Sequence, residues 1–255
     1  LTIRDLSVHG WGGQLLHHIS VDVKAGELLA IIGPNGAGKT TLMNSIVNTH
    51  QHQLVGDIDV CGQAASVWQS EARARHIAFL PQASVLSFPF TVEEVVSLSR
   101  TPHNTGVQLD RQIIHEALQA LDINHLKQRL YTQLSGGEKQ RVQLARVMAQ
   151  IWRSDDAEQR LLLLDEPTSS LDLGHQEQLM DAVRLFANQG VATVMIVHDV
   201  NLAMRHADTV LALLDGKVIA QGQPSDVVNS ALMKTLYNVN VTTIRHPETH
   251  KMILV

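Results

Sequence analysis

Cysteine, aromatic side chains and excess positive charge are all scarce in this 255-residue sequence. The single cysteine, Cys61, excludes an internal disulfide and is typical of a reducing compartment. Aromatic residues make up only 4% of the chain, so its core depends on aliphatic side chains, and a hydrophobic fraction of 44% supplies them. The net charge of −5 argues against the basic surface of nucleic-acid-binding proteins, so we expect no nucleic-acid partner.

Long hydrophobic runs are also missing. No apolar stretch approaches the roughly 18 residues that a membrane-spanning helix requires. We therefore expect any role at a membrane to be exercised by docking on another protein. Because the first residue is Leu1 and not Met, we expect the natural chain to begin before it.

Histidine, in contrast, is abundant, with 14 residues. A metal or haem site is one interpretation of this number. The histidines are scattered, however, and show no spacing that would place several of them as ligands on one helix. The pattern favours histidines in solvated surface positions and loops.

Strand-like and helix-like patterns alternate along the chain. The sequence predicts strands at residues 1–8, 19–23, 27–32, 56–60, 161–164, 193–197, 209–214 and 217–220. It predicts helices at residues 39–47 and 175–189, helical periods throughout about 91–151, and a surface loop or frayed helix end at 153–160. This order predicts a single α/β domain over residues 1–255, with a helical subdomain at about 91–151 inserted into the core.

A glycine-rich segment follows the apolar strand at 27–32 and opens a helix. Its residues are Gly33, Pro34, Asn35, Gly36, Ala37, Gly38, Lys39 and Thr40. The glycines let successive backbone N–H groups face an anion, and Lys39 adds a charge for the β- and γ-phosphates. We expect Thr40 to offer its hydroxyl to Mg²⁺ and Thr41 to contact the α-phosphate. An ordinary glycine-rich turn is the alternative, but the position between strand and helix favours a nucleotide site.

Paired carboxylates end a second apolar strand, at residues 161–164. Ligands of open parallel sheets bind at the carboxyl ends of strands, where Asp165 is predicted to hold Mg²⁺ directly or through water. Glu166 would orient or deprotonate the attacking water. Solvated acids at a strand end are the alternative, which the glycine-rich segment upstream makes less favourable.

The segment Leu134, Ser135, Gly136, Gly137 and Glu138 lies between these two motifs. Ser135 and Glu138 have the spacing of a helix capping box, which is a sufficient structural explanation for both. It does not explain two glycines in a first turn, where each costs about 1 kcal/mol relative to Ala. Bare N–H groups at a helix start also suit the close approach of a phosphate, so both interpretations hold together.

In this order the motifs resemble the ABC transporter ATPase family over nearly the whole chain. Residues 33–40 resemble the Walker A motif, 134–138 the signature and 161–165 the Walker B motif. Gln82 resembles the Q-loop glutamine, and His198 the switch histidine. The resemblance implies a P-loop NTPase core with a mixed sheet, an N-terminal antiparallel β subdomain and an inserted helical subdomain.

The same resemblance implies a homodimer that holds two ATP molecules between its subunits. The residues implied to contact nucleotide from the opposite subunit are Ser135, Gly136, Gly137, Glu138 and the D-loop residue Asp172. His198 would contact the γ-phosphate within its own subunit, and Gln82 would touch the Mg²⁺ or the attacking water. Two positions depart from the family pattern. Glu138 replaces the commoner Gln, and no tyrosine near the N-terminus matches the adenine-stacking residue of the family. Trp11 and His9 are the candidates for that role, with a packing role for Trp11 as the equal alternative.

Residues 87–92, with the sequence SFPFTV, resemble the importer ATPases for iron-siderophores, haem and cobalamin. This likeness implies a groove for an integral-membrane permease dimer and a peripheral position at the cytoplasmic face of the bacterial inner membrane. It also implies an indirect partner, a periplasmic or surface substrate-binding protein. A further likeness to the haem-import members of this group favours haem as the cargo, with siderophore or cobalamin import as the alternative. It is carried by residues 151–160, 171–176 and 245–248.

Two other functions remain as alternatives. A soluble ABC protein that acts on DNA or ribosomes would carry a long coiled coil or a second ATPase domain, and this sequence has neither. The second alternative is a P-loop kinase that phosphorylates a small molecule, but residues 134–138 would have no function in such an enzyme.

Overall fold

The computed structural model describes residues 1–10, 12–47, 53–82, 86–245 and 252–255. Its strands are β1 (Thr2–Gly10), β2 (Gly13–Asp22), β3 (Leu28–Ile32), β4 (Gln53–Val60), β5 (Gln63–Ala64), β6 (Ile77–Leu80), β7 (Arg160–Asp165), β8 (Val191–Ile196), β9 (Thr209–Leu214), β10 (Lys217–Gly222), β11 (Thr243–Arg245) and β12 (Met252–Leu254). Its α-helices are α1 (Lys39–Ile46), α2 (Ser70–His76), α3 (Val92–Ser97), α4 (Val107–Ala120), α5 (Gly136–Gln150), α6 (Leu173–Asn188), α7 (Val200–His206), α8 (Pro224–Val227) and α9 (Ser230–Tyr237).

A central six-stranded sheet has the order β10-β9-β3-β8-β7-β6 and is parallel except at its β10–β9 edge. A separate four-stranded antiparallel sheet, β2-β1-β4-β5, is built from the N-terminal part of the chain. These sheets confirm the predicted mixed core and N-terminal antiparallel subdomain. In the described part of the chain, no helix has both the length and the apolar character to cross a bilayer.

Strand β3 lies at the centre of the molecule, and all five of its residues are buried. Leu28, Ala30 and Ile32 pack into a core shared with the helices, while Leu29 and Ile31 pack into the core beneath the antiparallel sheet and α1. The central sheet is therefore covered on both faces, as an uninterrupted apolar strand predicts. Because β3, β7 and β8 are parallel, the segments that follow them emerge at one edge of the sheet.

Several predicted boundaries differ from the structure by one to six residues, and two of these differences have a clear physical reason. Strand β2 begins at Gly13, not at residue 19, and His18 within it adopts a left-handed φ of 52°, which interrupts the alternation that marks a strand. Arg160 opens β7 and is only 3% exposed, so the prediction of a surface loop is wrong at this residue. Its guanidinium donates to the carbonyls of Ile151, Trp152 and Gln189 at 3.1, 2.8 and 2.7 Å, which explains how a charged side chain is accommodated there.

Candidate active site

The glycine-rich segment follows β3 and bends sharply into α1. Gly33, Gly36 and Gly38 have φ values of 150°, 81° and 98°. A Cβ atom on Gly33 would lie 2.2 Å from the carbonyl oxygen of Leu213, so no other residue fits this position without movement of β9. Gly38, the N-cap of α1, has no side chain to satisfy the first N–H groups of the helix, which leaves them available to an anion.

A cleft of about 560 Å³ opens over this segment. Its lining residues are Leu15, Asn35, Gly36, Gly38, Lys39, Thr40, Thr41, Gln82, Glu166 and His198. Residues predicted from four separate parts of the sequence thus share one cavity. Leu15, in β2, is a lining residue that the sequence analysis missed, because an apolar residue near a strand edge carries no distinguishing signal.

Lys39 lies at the floor of the cleft and is 6% exposed. Its Nζ atom donates to the carbonyl oxygens of Gly33 at 2.8 Å and Pro34 at 2.9 Å. Burial lowers the pKa of Lys39, while the nearby carboxylates of Glu166 and Asp165 act in the opposite direction. The Lys39 ammonium is therefore hydrogen-bonded to the backbone of the glycine-rich segment itself.

Asp165, the last residue of β7, is 1% exposed and faces α1. Its Oδ2 atom accepts a hydrogen bond of 3.0 Å from the Thr40 hydroxyl, whereas its buried Oδ1 atom has no hydrogen-bond partner among the described residues. Burial raises the pKa of Asp165, and the hydrogen bond from Thr40 opposes this shift. An unpaired buried acceptor costs about 1–3 kcal/mol, and a carboxylate beside a hydroxyl is the oxygen donor set that Mg²⁺ prefers. These residues fit a magnesium ion.

The carboxylate of Glu166 is held from both sides. Gln82 Nε2 donates to Oε2 at 2.8 Å, and His198 Nε2 lies 2.6 Å from Oε1. The Glu166 backbone has a left-handed φ of 53°, a conformation that costs a non-glycine residue about 1–3 kcal/mol and is typical of active sites. The arrangement aims an oriented carboxylate into the cleft beside Lys39 and Asp165.

The signature segment forms a capping box at the start of α5. The Ser135 hydroxyl accepts from the Glu138 N–H at 3.3 Å, and the Ser135 N–H donates to Glu138 Oε2 at 2.7 Å. This backbone hydrogen bond lowers the pKa of Glu138. At Gly137 a Cβ atom would lie 3.1 Å from Leu171 Cδ2, so the absent side chain permits close packing against Leu171, which precedes the D-loop residue Asp172.

The signature and D-loop residues stand apart from the cleft. Among the described residues that line the cleft, none comes from 134–138 and none is Asp172. Ser135 and Gly136 are exposed, and Asp172 is the N-cap of α6, where its carboxylate accepts from the His175 N–H at 2.9 Å. Within one chain, the structure therefore does not bring these predicted contact residues to the cleft.

The predicted nucleotide contacts Trp11, His9 and Ala37 are not among the described residues that line the cleft. Trp11 lies outside the described residues, and His9 is an exposed residue of β1. Ala37 is buried rather than in the cleft lining, and its carbonyl accepts from the Gly216 N–H at 3.1 Å. The tail positions 246–248 also lie outside the described residues.

Comparisons with known proteins agree with this geometry. The family described as ABC transporter matches residues 16–169. Hemin import ATP-binding protein HmuV of Gloeobacter violaceus is 45% identical over 92% of this chain and 86% of its own, and that of Plesiomonas shigelloides is 42% identical over 98% and 99%. A metal-chelate type ABC transporter, solved in an inward-facing conformation, superposes with a TM-score of 0.79 at 25% identity over 100% of this chain and 96% of its own. The chain belongs to the ABC transporter family, as its ATP-binding component.

Proposed function

We propose that this chain binds and hydrolyses ATP as the energy-coupling subunit of an importer for haem. The observation that carries the hydrolytic part is the Glu166 carboxylate, held between Gln82 and His198 and facing Lys39. Near-full-length similarity to hemin import ATP-binding proteins supports haem as the cargo. Import of ferric siderophore or cobalamin by the same mechanism is the alternative.

Nucleotide binding follows from the loop and the helix that it opens. Backbone N–H groups of the glycine-rich segment and the first turn of α1 would receive the phosphates, and the Lys39 ammonium would exchange carbonyl partners for phosphate oxygens. Thr41, at the cleft wall, would contact the α-phosphate. Thr40, Asp165 and Gln82 would hold Mg²⁺, which supplies charge neutralisation on the β- and γ-phosphate oxygens.

For hydrolysis, Glu166 would orient the attacking water and accept its proton. Gln82 and His198 keep the carboxylate in place, and the half-exposed His198 imidazole would turn toward the γ-phosphate of bound ATP. Positioning of this kind carries most of the catalysis in phosphoryl transfer.

The remaining predicted contacts require a second copy of the chain. Ser135, Gly136, Gly137, Glu138 and Asp172 would complete the site of a partner in a head-to-tail homodimer, because they lie outside their own cleft. The N-terminal end of α5 carries a partial positive charge that attracts a γ-phosphate. Loss of that phosphate weakens the attraction, so hydrolysis would let the dimer open.

A pair of exposed aromatic residues supports docking on a permease. Phe88 is 65% exposed and Phe90 is 38% exposed, and their ring centroids lie 6.1 Å apart. They follow Gln82 by six and eight residues in the sequence, so only a short stretch of chain would connect a permease helix seated on them to the side chain that contacts Glu166. We place the chain at the cytoplasmic face of the bacterial inner membrane, on a permease dimer that receives cargo from a periplasmic or surface binding protein.

The cargo is tested in vesicles that contain this chain with its copurified permease. Haem, presented with the substrate-binding protein, should stimulate ATP hydrolysis several-fold, whereas ferric siderophore and cobalamin should leave the basal rate unchanged. The measurement is phosphate release with each compound in turn. Stimulation by a siderophore or by cobalamin, with no response to haem, would assign the alternative cargo.

A further inference from the structure

The hydroxyl of Tyr237, at the end of α9, contacts the first residue of the phosphate-binding loop. It accepts a hydrogen bond of 3.0 Å from the Gly33 N–H, 204 residues away in sequence. The Gly33 carbonyl is at the same time bonded to Lys39 Nζ. When the ammonium turns to phosphate, the Tyr237 bond is the one that continues to fix the start of the loop.

A second contact involves the helix that follows His198. The side-chain amide of Asn201 bonds both polar backbone atoms of Leu254 in β12, accepting from its N–H at 2.8 Å and donating to its carbonyl at 3.2 Å. Asn201 belongs to the first turn of α7, which begins two residues after His198. Strand β12 therefore holds the helix that follows the histidine paired with Glu166.

Both contacts come from one anchored segment, residues 229–245 and 252–255, which we call the C-terminal brace. Leu232, Met233 and Leu236 bury the inner face of α9 in the helical core. Met252 and Leu254 of β12 pack against the same core. Asn229 caps α9 by accepting from the Leu232 N–H at 2.9 Å. Burial thus fixes α9, and β12 is partly buried against the same core, so both elements anchor the polar contacts of Tyr237 and Leu254.

We infer that the C-terminal brace positions two elements of the nucleotide site, with Tyr237 holding the phosphate-binding loop and Asn201 holding the helix after the switch histidine to β12. This inference rests on the proposed ATP hydrolysis. Tyr237 and Asn201 act as positioning residues, since neither is among the described residues that line the cleft. The loop contact supports nucleotide binding, and the helix contact supports the alignment of His198 with Glu166.

The test uses the purified chain and two variants with separate expected effects. Tyr237→Phe keeps the ring but leaves the Gly33 N–H unpaired, so KM for ATP should rise about threefold to tenfold with kcat nearly unchanged. Asn201→Leu removes both bonds to β12 but is a better helix former than Asn, so α7 itself is not weakened. It should lower kcat about threefold to tenfold at an unchanged KM. Asn201→Ser serves as a milder variant if Asn201→Leu does not fold.

Ser99→Ala is the control for loss of a buried hydroxyl. The Ser99 hydroxyl donates to the Val96 carbonyl at 2.7 Å in the helical core, outside the described lining of the cleft, so this variant should lower Tm without moving KM. If both test variants lower Tm alone, as the control does, the brace has only a structural role and the inference is overturned. If the parent chain neither binds nor hydrolyses ATP, the result contradicts the proposed function itself, and with it the inference that depends on that function.

Discussion

Glu166→Gln should reduce ATP hydrolysis by about a hundredfold or more while ATP binding persists, since removal of a general base costs about 10²–10⁴-fold. The amide keeps the size of the carboxylate and can still contact Gln82 and His198, but it cannot accept the proton of the attacking water. With its γ-phosphate intact, bound ATP should hold two chains together. Phosphate release and molecular mass in the presence of Mg²⁺ and ATP measure both effects.

The matched control is Glu71→Gln, which removes an exposed carboxylate paired with Arg75 on α2 and should hydrolyse ATP at the parental rate. Parental hydrolysis by Glu166→Gln would contradict the assignment of Glu166 as the base. Loss of hydrolysis without persistence of a dimer would contradict the electrostatic account of closure.

Lys39→Met should weaken ATP binding by about a hundredfold, because charge-assisted hydrogen bonds to phosphate contribute about 1.5–3 kcal/mol and tenfold in affinity corresponds to about 1.4 kcal/mol. Met replaces the stem of Lys39 but not the ammonium. In the parent protein, Mg²⁺ and ATP should raise Tm by ligand linkage, and this rise should vanish in the variant. Binding of a fluorescent ATP analogue gives the affinity directly.

Lys217→Met, at an exposed position that opens β10, is the control for loss of one positive charge. It should keep both the affinity and the ATP-dependent rise in Tm. Equal affinities for the parent and Lys39→Met would show that the buried ammonium does not contact the nucleotide.

Much of the fold could be predicted because local patterns and tertiary environment agree. The uninterrupted apolar run in β3 predicts a strand buried on both faces, and the structure buries every residue of it. The first half of β2 escaped prediction, because His18 interrupts its alternation with a left-handed backbone. The burial of Arg160 could not be predicted, because the local sequence does not show that carbonyl groups distant along the chain will accept its hydrogen bonds. The division into a core and an inserted subdomain at about 91–151 stays a prediction.

The site divides along similar lines. The placement of Lys39, Asp165 and Glu166 near one another could be predicted, since each lies at or after the end of a strand at the same sheet edge, while their roles stay predictions. Tyr237 could not, because its contact with Gly33 depends on where α9 packs and not on any motif. The roles of the signature residues stay predictions, since these residues are absent from the described lining of their own cleft.

Shared active sites between two copies of the chain are tested most directly by dilution. ATP hydrolysis per chain would be measured over a wide concentration range, with the molecular mass in the same solutions. The rate per chain should fall in proportion to the dimeric fraction and approach zero where the chain is monomeric. A constant rate per chain at concentrations where the mass is that of a single 28.1 kDa chain would contradict the account.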